Sequence, residues 1–257
     1  MRAINRTTGV ARNTIDKLLV DIGTACADFQ DVALRELDVN RVEADEIWSF
    51  CYAKQKNVPE DFQGTPGYGD VWCWVAIDAD TKLVPSWLVG ERTTEDCYTF
   101  MRDLRSRIKM GNRIQLTTDG FGSYRPVVDA LWRDGIDYAQ IIKEYGNPPA
   151  EEARRYSPAT CKTLEKNVLA GEPDQALIST SYVERQNLTM RMGMRRYTRL
   201  TNGFSKKVEN HAHAVSLHFM HYNFARRHQT LKGATPAMAA GIERHPWSLT
   251  QIAELLD

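Results

Sequence analysis

The stretch "RVEADEIWSFCYA", residues 41–53, decides how this 257-residue chain is to be read. Val42, Ile47, Trp48 and Phe50 are strand-forming residues, and the run reads as a strand. In its middle stands Asp45, flanked by Ala44 and close to Ile47. A carboxylate inside an otherwise apolar strand costs several kcal/mol unless it is paired or bound to a metal. The strand therefore carries a chemical demand that residues elsewhere in the chain must meet.

Outward from this strand the pattern is regular. A Gly/Pro loop, residues 57–70, leads to "VWCWVAI", apolar on both faces and so a central strand. "DADTK" is a turn, with Asp78 and Asp80 as turn formers, and "LVPSWLVG" returns as the third strand. Then follow an amphipathic helix over 93–108, a strand "RIQLTTD" ending in Asp119, a helix over 122–135 and a strand "IDYAQII". A three-strand meander, then helix, strand, helix, strand is the order of a ribonuclease H-like α/β domain: a mixed five-stranded sheet flanked by helices. Residues 143–178, rich in Pro and charge, interrupt that order as an insertion. The chain closes with a basic helix from Ser181, a turn, a long helix, and a short helix opened by Thr235-Pro236.

Before the first strand, "AINRTTGVARNTIDKLLVDIG" has the outline of a helix-turn-helix. Ile15, Leu18, Leu19 and Ile22 form one face of its second helix, which turns Arg12, Asn13 and Lys17 outward for base edges and phosphates. An ordinary helical hairpin fits the same pattern. Met1 falls inside the first helix of the pair, as in a truncated or late-starting module. The organisation expected is thus 1–38 for the helix-turn-helix and connector, 39–142 for the first part of the catalytic core, 143–178 for the insertion, and 179–257 for completion of the core and the C-terminal helices.

Composition narrows the class. With 42% hydrophobic residues the chain can bury a full core. No apolar run approaches a membrane span, and the N-terminus lacks a signal peptide, so the expectation is a cytoplasmic protein. Five scattered cysteines without a C-x-x-C pair suggest neither a disulfide framework nor a zinc ribbon. The net charge is zero, yet residues 185–232 hold ten bases and one acid, leaving +9 there and −9 elsewhere. Aromatic residues are interleaved with those bases, which points to a polyanion partner, nucleic acid, with Arg191, Arg195, Arg196, Lys206, Lys207 and Arg227 among the candidate contacts to double-stranded DNA if the chain acts on it.

In a ribonuclease H-like sheet the first and fourth strands are neighbours and the helix after the fifth packs over them. That order brings Glu184, in the first turn of the basic helix, to Asp45 and Asp119. A first-turn acid is also explained by the helix dipole alone. Three converging carboxylates cannot all ionise cheaply without a cation, and hard oxygen ligands suit Mg²⁺ or Mn²⁺. Two such ions serve phosphodiester chemistry. Asn187, Arg191 and Arg195 share Glu184's face at helical spacing. Glu43 rivals Asp45 because strand alternation puts both on one face, whereas Glu46 points away. His218 and His221, at i and i+3, have no Cys or acid to complete a zinc site.

"VEADEIWSFCYAKQKNVP", "IQLTTDGFGSY", "STSYVERQNLTMRMGMRRYTRLTNGFSKKVENHAHAVSLHFMHYNFARRH" and "TPAMAAG" resemble the DDE transposases of bacterial insertion sequences, of the insertion-element-one type. The resemblance spans nearly the whole chain. It implies a ribonuclease H-like fold and Asp45, Asp119 and Glu184 as the catalytic triad, which would settle the choice against Glu43. It also implies synapsis of two DNA ends by a homo-oligomer, and Asn223, Arg227 and His228 as shapers of the DNA surface. The intervals of 74 and 65 residues exceed the short second interval of retroviral integrases, and residues 143–178 account for the excess. Members of the family often carry a zinc-binding module ahead of the helix-turn-helix, and no Cys pair here corresponds to it. A nuclease of the same fold, or a DNA-binding repressor without catalysis, are the alternatives.

Overall fold

The first strand is β1, Arg41–Cys51, and the sheet is built on both of its edges. In the computed structural model, which describes residues 1–146, 160–198 and 201–257, two helices precede it: α1, Arg2–Thr8, and α2, Arg12–Ala33. After it come β2, Gly69–Asp78, β3, Ser86–Gly90, α3, Thr94–Arg107, β4, Gln115–Asp119, α4, Tyr124–Trp132, β5, Asp137–Gly146, and β6, Thr160–Ala170. The chain ends with α5, Ser181–Gly193, α6, Val208–Met220, α7, Pro236–Ala239, and α8, Leu249–Ala253.

The sheet has six strands in the order β3-β2-β1-β4-β5-β6. The meander β1-β2-β3 is antiparallel, β4 and β5 run parallel to β1, and β6 returns antiparallel to β5. Five strands follow the order expected from the sequence. The sixth comes from the segment expected to be an insertion: part of 143–178 extends β5 and part forms β6. Its charge and polarity mark an edge strand, whose exposed side chains such as Thr163, Leu164, Glu165 and Lys166 face solvent. The middle of that segment, 147–159, lies outside the described residues, as do Arg199 and the side chain of Cys161.

Strand alternation sorts the core into two layers. Val42, Ala44, Trp74 and Ala76 face α3 and α4, packing with Phe100, Met101, Leu104 and Tyr124. Ile47, Cys73, Val75 and Ile77 face α5 and α6, packing with Val183, Met190, Val215 and Phe219. Cys26, Cys51, Cys73 and Cys97 are buried and unpaired by disulfides, and burial pushes each thiol up, to about 11 for Cys26 and about 12 for the others. Asp78 closes the β2–β3 turn by accepting the backbone N–H groups of Asp80 and Thr81.

The N-terminal pair differs in extent from its outline in the sequence. Gly9, at φ 75°, ends α1 in the left-handed conformation that glycine adopts without steric cost. The second helix does not stop after Gly23. It runs without a break into the segment expected to be a separate helical, acidic connector, for 22 residues in all. Ile15, Leu19, Ile22 and Cys26 are buried, and α2 packs along α6. At their crossing a Cβ on Gly23 would lie 2.5 Å from that of His213, so the two backbones approach as only glycine permits. Ser216 donates to the Gly23 carbonyl at 2.7 Å across this contact.

Candidate active site

Position 45 is where β1 outruns its neighbour. Pairing with β4 ends at Ala44 opposite Thr118, so the next residue on each strand, Asp45 and Asp119, stands at the end of the parallel pair. Asp119 is fixed by the turn that follows, its Oδ1 accepting the N–H of Phe121 at 3.0 Å, while Gln140 donates to its backbone carbonyl at 3.0 Å. Above this edge lies α5. Its first turn is held by Glu43, buried at 0% exposure, whose Oε2 accepts the N–H groups of Tyr182 at 2.7 Å and Val183 at 3.1 Å. These are orphan donors of the helix start, and an anion is the natural acceptor for them. Glu43 and Asp45 thus divide the shared strand face: one caps α5, the other faces the cleft.

Asp45, Asp119 and Glu184 all line one cleft of about 770 Å³, together with Glu46, Arg92, Lys143, Thr180, Asn187 and Arg191. Asn187 donates to Asp45 Oδ2 at 2.9 Å. Glu184 pairs with the Lys143 ammonium and accepts from the Thr180 hydroxyl at 2.5 Å. The oxygens of Asp45, Glu46 and Asp119 come within 4.8 Å of one another, and among the described residues this is the group able to hold a metal ion. Glu184 stands beside that group and not within it.

Glu46 departs from the sequence expectation that it points away. It does leave β1 toward α4, where Tyr124 donates to its Oε2 at 3.0 Å. Because β4 ends at Asp119, however, no further residue of β4 separates the two faces, and Glu46 reaches round the strand end. Arg92, just past β3, ties the acids together: it lies 2.5 Å from Glu46 and 3.9 Å from Asp119, with its guanidinium over Phe121 at 4.2 Å.

Burial and mutual repulsion raise these carboxyls. Asp45 is pushed up to about 7, first by burial and then by the charges of Asp119 and Glu46. Glu46 is raised by burial and by Asp119, against the pull of Arg92. Asp119 is raised by burial despite the Phe121 N–H, Arg92 and Lys143. Glu43 is raised to about 6 by burial, opposed by its two backbone donors. A donor set of mutually repelling carboxylates, Glu46 buried and Asp45 and Asp119 partly so, fits a hard divalent cation, whose charge would offset both penalties.

Other residues singled out in the sequence are dispersed. Arg191 lines the cleft, but α5 ends at Gly193, so Arg195 leaves the helix register that would have put it on Glu184's face. Arg196 turns inward and donates to Ser205 at 2.6 Å, beside a buried cluster in which His211 meets Ser205 and Tyr197, each at 2.8 Å. Lys206, Lys207 and Arg227 are exposed, as are Arg12, Asn13 and Lys17, the last paired with Asp21 at 2.5 Å. Asn223 does not face a DNA surface. It is fully buried and bonds both the N–H and the carbonyl of Val84, tying the turn after α6 to the β2–β3 turn. Burial pushes His218 down to about 4.

Arg92 and Lys143 carry no strong signal of their own in the sequence. What marks them is position: β1, β3, β4 and β5 share a direction, and both residues lie toward the C-terminal ends of those strands, the edge where α/β sheets place their sites.

The DDE domain family DDE_Tnp_IS240 matches residues 68–152, a span that includes Asp119 but neither Asp45 nor Glu184. The insertion element iso-IS1n protein InsB of Shigella dysenteriae is 27% identical over 173 residues, 67% of this chain and 88% of that protein. Together these likenesses support a DDE transposase of insertion sequences. Among solved structures, a piggyBac transposase synaptic complex with hairpin DNA is similar at a TM-score of 0.36 and 10% identity. The match covers 84% of this chain and 56% of that one, and is too distant to carry an argument. Among the described residues no helix is long and apolar enough to cross a membrane.

Proposed function

We propose that this transposase cuts DNA at the ends of its element and joins the freed ends to target DNA, using Asp45, Asp119 and Glu184 as its catalytic carboxylates. The observation that carries the proposal is the cleft itself. Three acids far apart in the chain, from β1, the end of β4 and the first turn of α5, line one opening with cations around its rim. Asp45 and Asp119 would hold Mg²⁺ or Mn²⁺, with Glu184 completing the set as Lys143 yields its place. Bound there, a pair of such ions would supply an activated attacking oxygen and stabilise the leaving one.

The chain's own residues do the rest. Asn187 orients Asp45 through the 2.9 Å bond, and Glu43 sets the start of α5 and with it Glu184. Arg191 and Arg92 face the backbone phosphates near the scissile bond. Water attacks the phosphorus, its proton leaves, and the bond to the 3′-oxygen breaks to give a 3′-OH. That hydroxyl then attacks a target phosphodiester and displaces the target's own 3′-oxygen. Glu46 is already engaged by Arg92 and Tyr124, which favours it as an anchor for Arg92 over Glu184's place in the set.

Outside the cleft, Arg195, Lys206, Lys207 and Arg227 are assigned to duplex DNA, and Arg12, Asn13 and Lys17 of the α1–α2 pair to recognition of the element's ends. Work on two ends suits a homo-oligomer, and work on DNA the bacterial cytoplasm. The test is a strand-transfer assay on a duplex carrying the inverted repeat found beside the gene, with a target plasmid, in Mg²⁺ and in EDTA. Joined product in Mg²⁺ alone is expected. Cleavage without joining would favour a nuclease of the same fold, and binding without cleavage a repressor.

A further inference from the structure

The two stripes of α5 face different openings. Glu184, Asn187, Leu188 and Arg191 line the carboxylate cleft, while Tyr182, Arg185, Gln186 and Thr189 line a second pocket of about 420 Å³. Both sets follow i, i+3, i+4, i+7 spacing, offset by two residues, which is about 200° around a helix at roughly 3.6 residues per turn. The second pocket is completed from the β2–β3 turn by Lys82 and from the segment after α6 by Arg226 and Arg227. No acidic side chain lines it. Among the described residues, Arg185, Arg226 and Arg227 make no ion pair with a carboxylate.

Two of its polar side-chain atoms have no hydrogen-bond partner. Gln186 is 2% exposed, and its Nε2 has no hydrogen-bond partner, a costly arrangement for a buried donor. The Nε2 of His228, on the pocket's lining, is likewise unpartnered. The Lys82 ammonium sits 3.3 Å from the centre of the Tyr182 ring, which holds a fourth cation in place. The donor chemistry of such a pocket suits an anion with acceptor oxygens.

We infer that this pocket is a second phosphate site, separate from the carboxylate cleft, which takes the backbone of duplex DNA on the far side of α5. Arg185 and Arg226 supply charge-assisted bonds to the phosphate oxygens, and Gln186 donates to an oxygen from the floor. The choice of DNA over other polyanions rests on the transposase assignment; the anion site rests on the pocket. Holding the strand at both flanks of α5 fixes Glu184 relative to the DNA, because both sites are carried by one helix.

The experiment is fluorescence anisotropy of a labelled DNA duplex with the full chain in EDTA, over a series of KCl concentrations. Arg185→Ala and Arg226→Ala are each expected to lower the slope of log K against log salt by about 0.9, the double variant by about twice that, and Arg185→Lys to restore it. Lys109→Ala, at an exposed cation beyond α3, leaves the slope unchanged. Thermal melting shows whether each variant is folded, and Gln186→Glu, which adds a charge to the floor, gives a further loss of affinity. A double variant with the wild-type slope, an equal loss from Lys109→Ala, or no salt-dependent binding by the wild-type chain would overturn the inference. Mg²⁺-dependent cleavage is measured separately: its absence beside a lowered slope would sink the transposase mechanism and leave the phosphate site standing.

Discussion

Asp45 carries the tension of the site, because its carboxyl is buried beside Asp119 and Glu46 and titrates near 7 instead of 3.8. The folded state therefore keeps a proton that the unfolded state gives up. Between about pH 4 and pH 7 the unfolded chain gains relative to the folded one, and stability owed to this group falls as pH rises, levelling off above. In EDTA, Asp45→Asn is expected to melt higher than the wild type by a margin that widens from pH 4 to pH 7. Saturating Mg²⁺ should reverse the order by stabilising the wild type. A margin independent of pH in thermal melts would contradict this account of the site. Glu43 does a different job one strand repeat away. Glu43→Ala removes the acceptor for two helix-start N–H groups and is expected to cost about 1–2 kcal/mol in urea unfolding, with lower cleavage as α5 shifts. Glu43→Gln keeps an acceptor oxygen and is expected to retain most of both.

At the scale of elements, what the sequence declares is periodicity, and what it hides is where elements stop and what lies past their ends. The meander, β4, α3, α4 and the start of α5 at Ser181 were all legible from alternation, helical spacing and turn residues. β6 was not, since an edge strand with exposed polar side chains has no apolar face to announce it. Of the acids lining the cleft, strand order brought Asp119 and Glu184 to β1 but left Asp45 and Glu43 as rivals that only the family resemblance separated, and Glu46 was not legible at all. Alternation sends it to the other face, and only the early end of β4 lets it meet Asp119. The full length of α2 was hidden for a related reason: the helical connector reads as a segment apart from the N-terminal pair, yet the helix runs unbroken through Gly23, where it meets α6. Gly23→Ala is accordingly expected to destabilise the protein by about 1–3 kcal/mol, although alanine is the better helix former, because the added methyl would meet His213 backbone atoms at 2.8 Å. Chemical denaturation decides it, and a stabilised variant would mean that the two helices are free to separate there.

Across the whole molecule, acids and bases are contributed by different parts of the chain. The ends of the central strands β1 and β4 gather carboxylates, which the fold alone leaves costly, while α5 and the chain after it supply the bases that a net charge of zero conceals. Such a division suits an enzyme that must grip a polyanion and cut it at a defined bond. The measurement that tests this most directly is Mg²⁺-dependent nicking of the element-end duplex by purified wild type, Asp119→Asn and Glu184→Gln, with DNA binding measured on the same samples. Both substitutions keep side-chain size but remove ligand charge, so each is expected to abolish nicking while DNA affinity and the folded state persist. Full nicking by Glu184→Gln would contradict the three-carboxylate mechanism and leave Glu184 as the partner of Lys143 and Thr180 at the start of a helix.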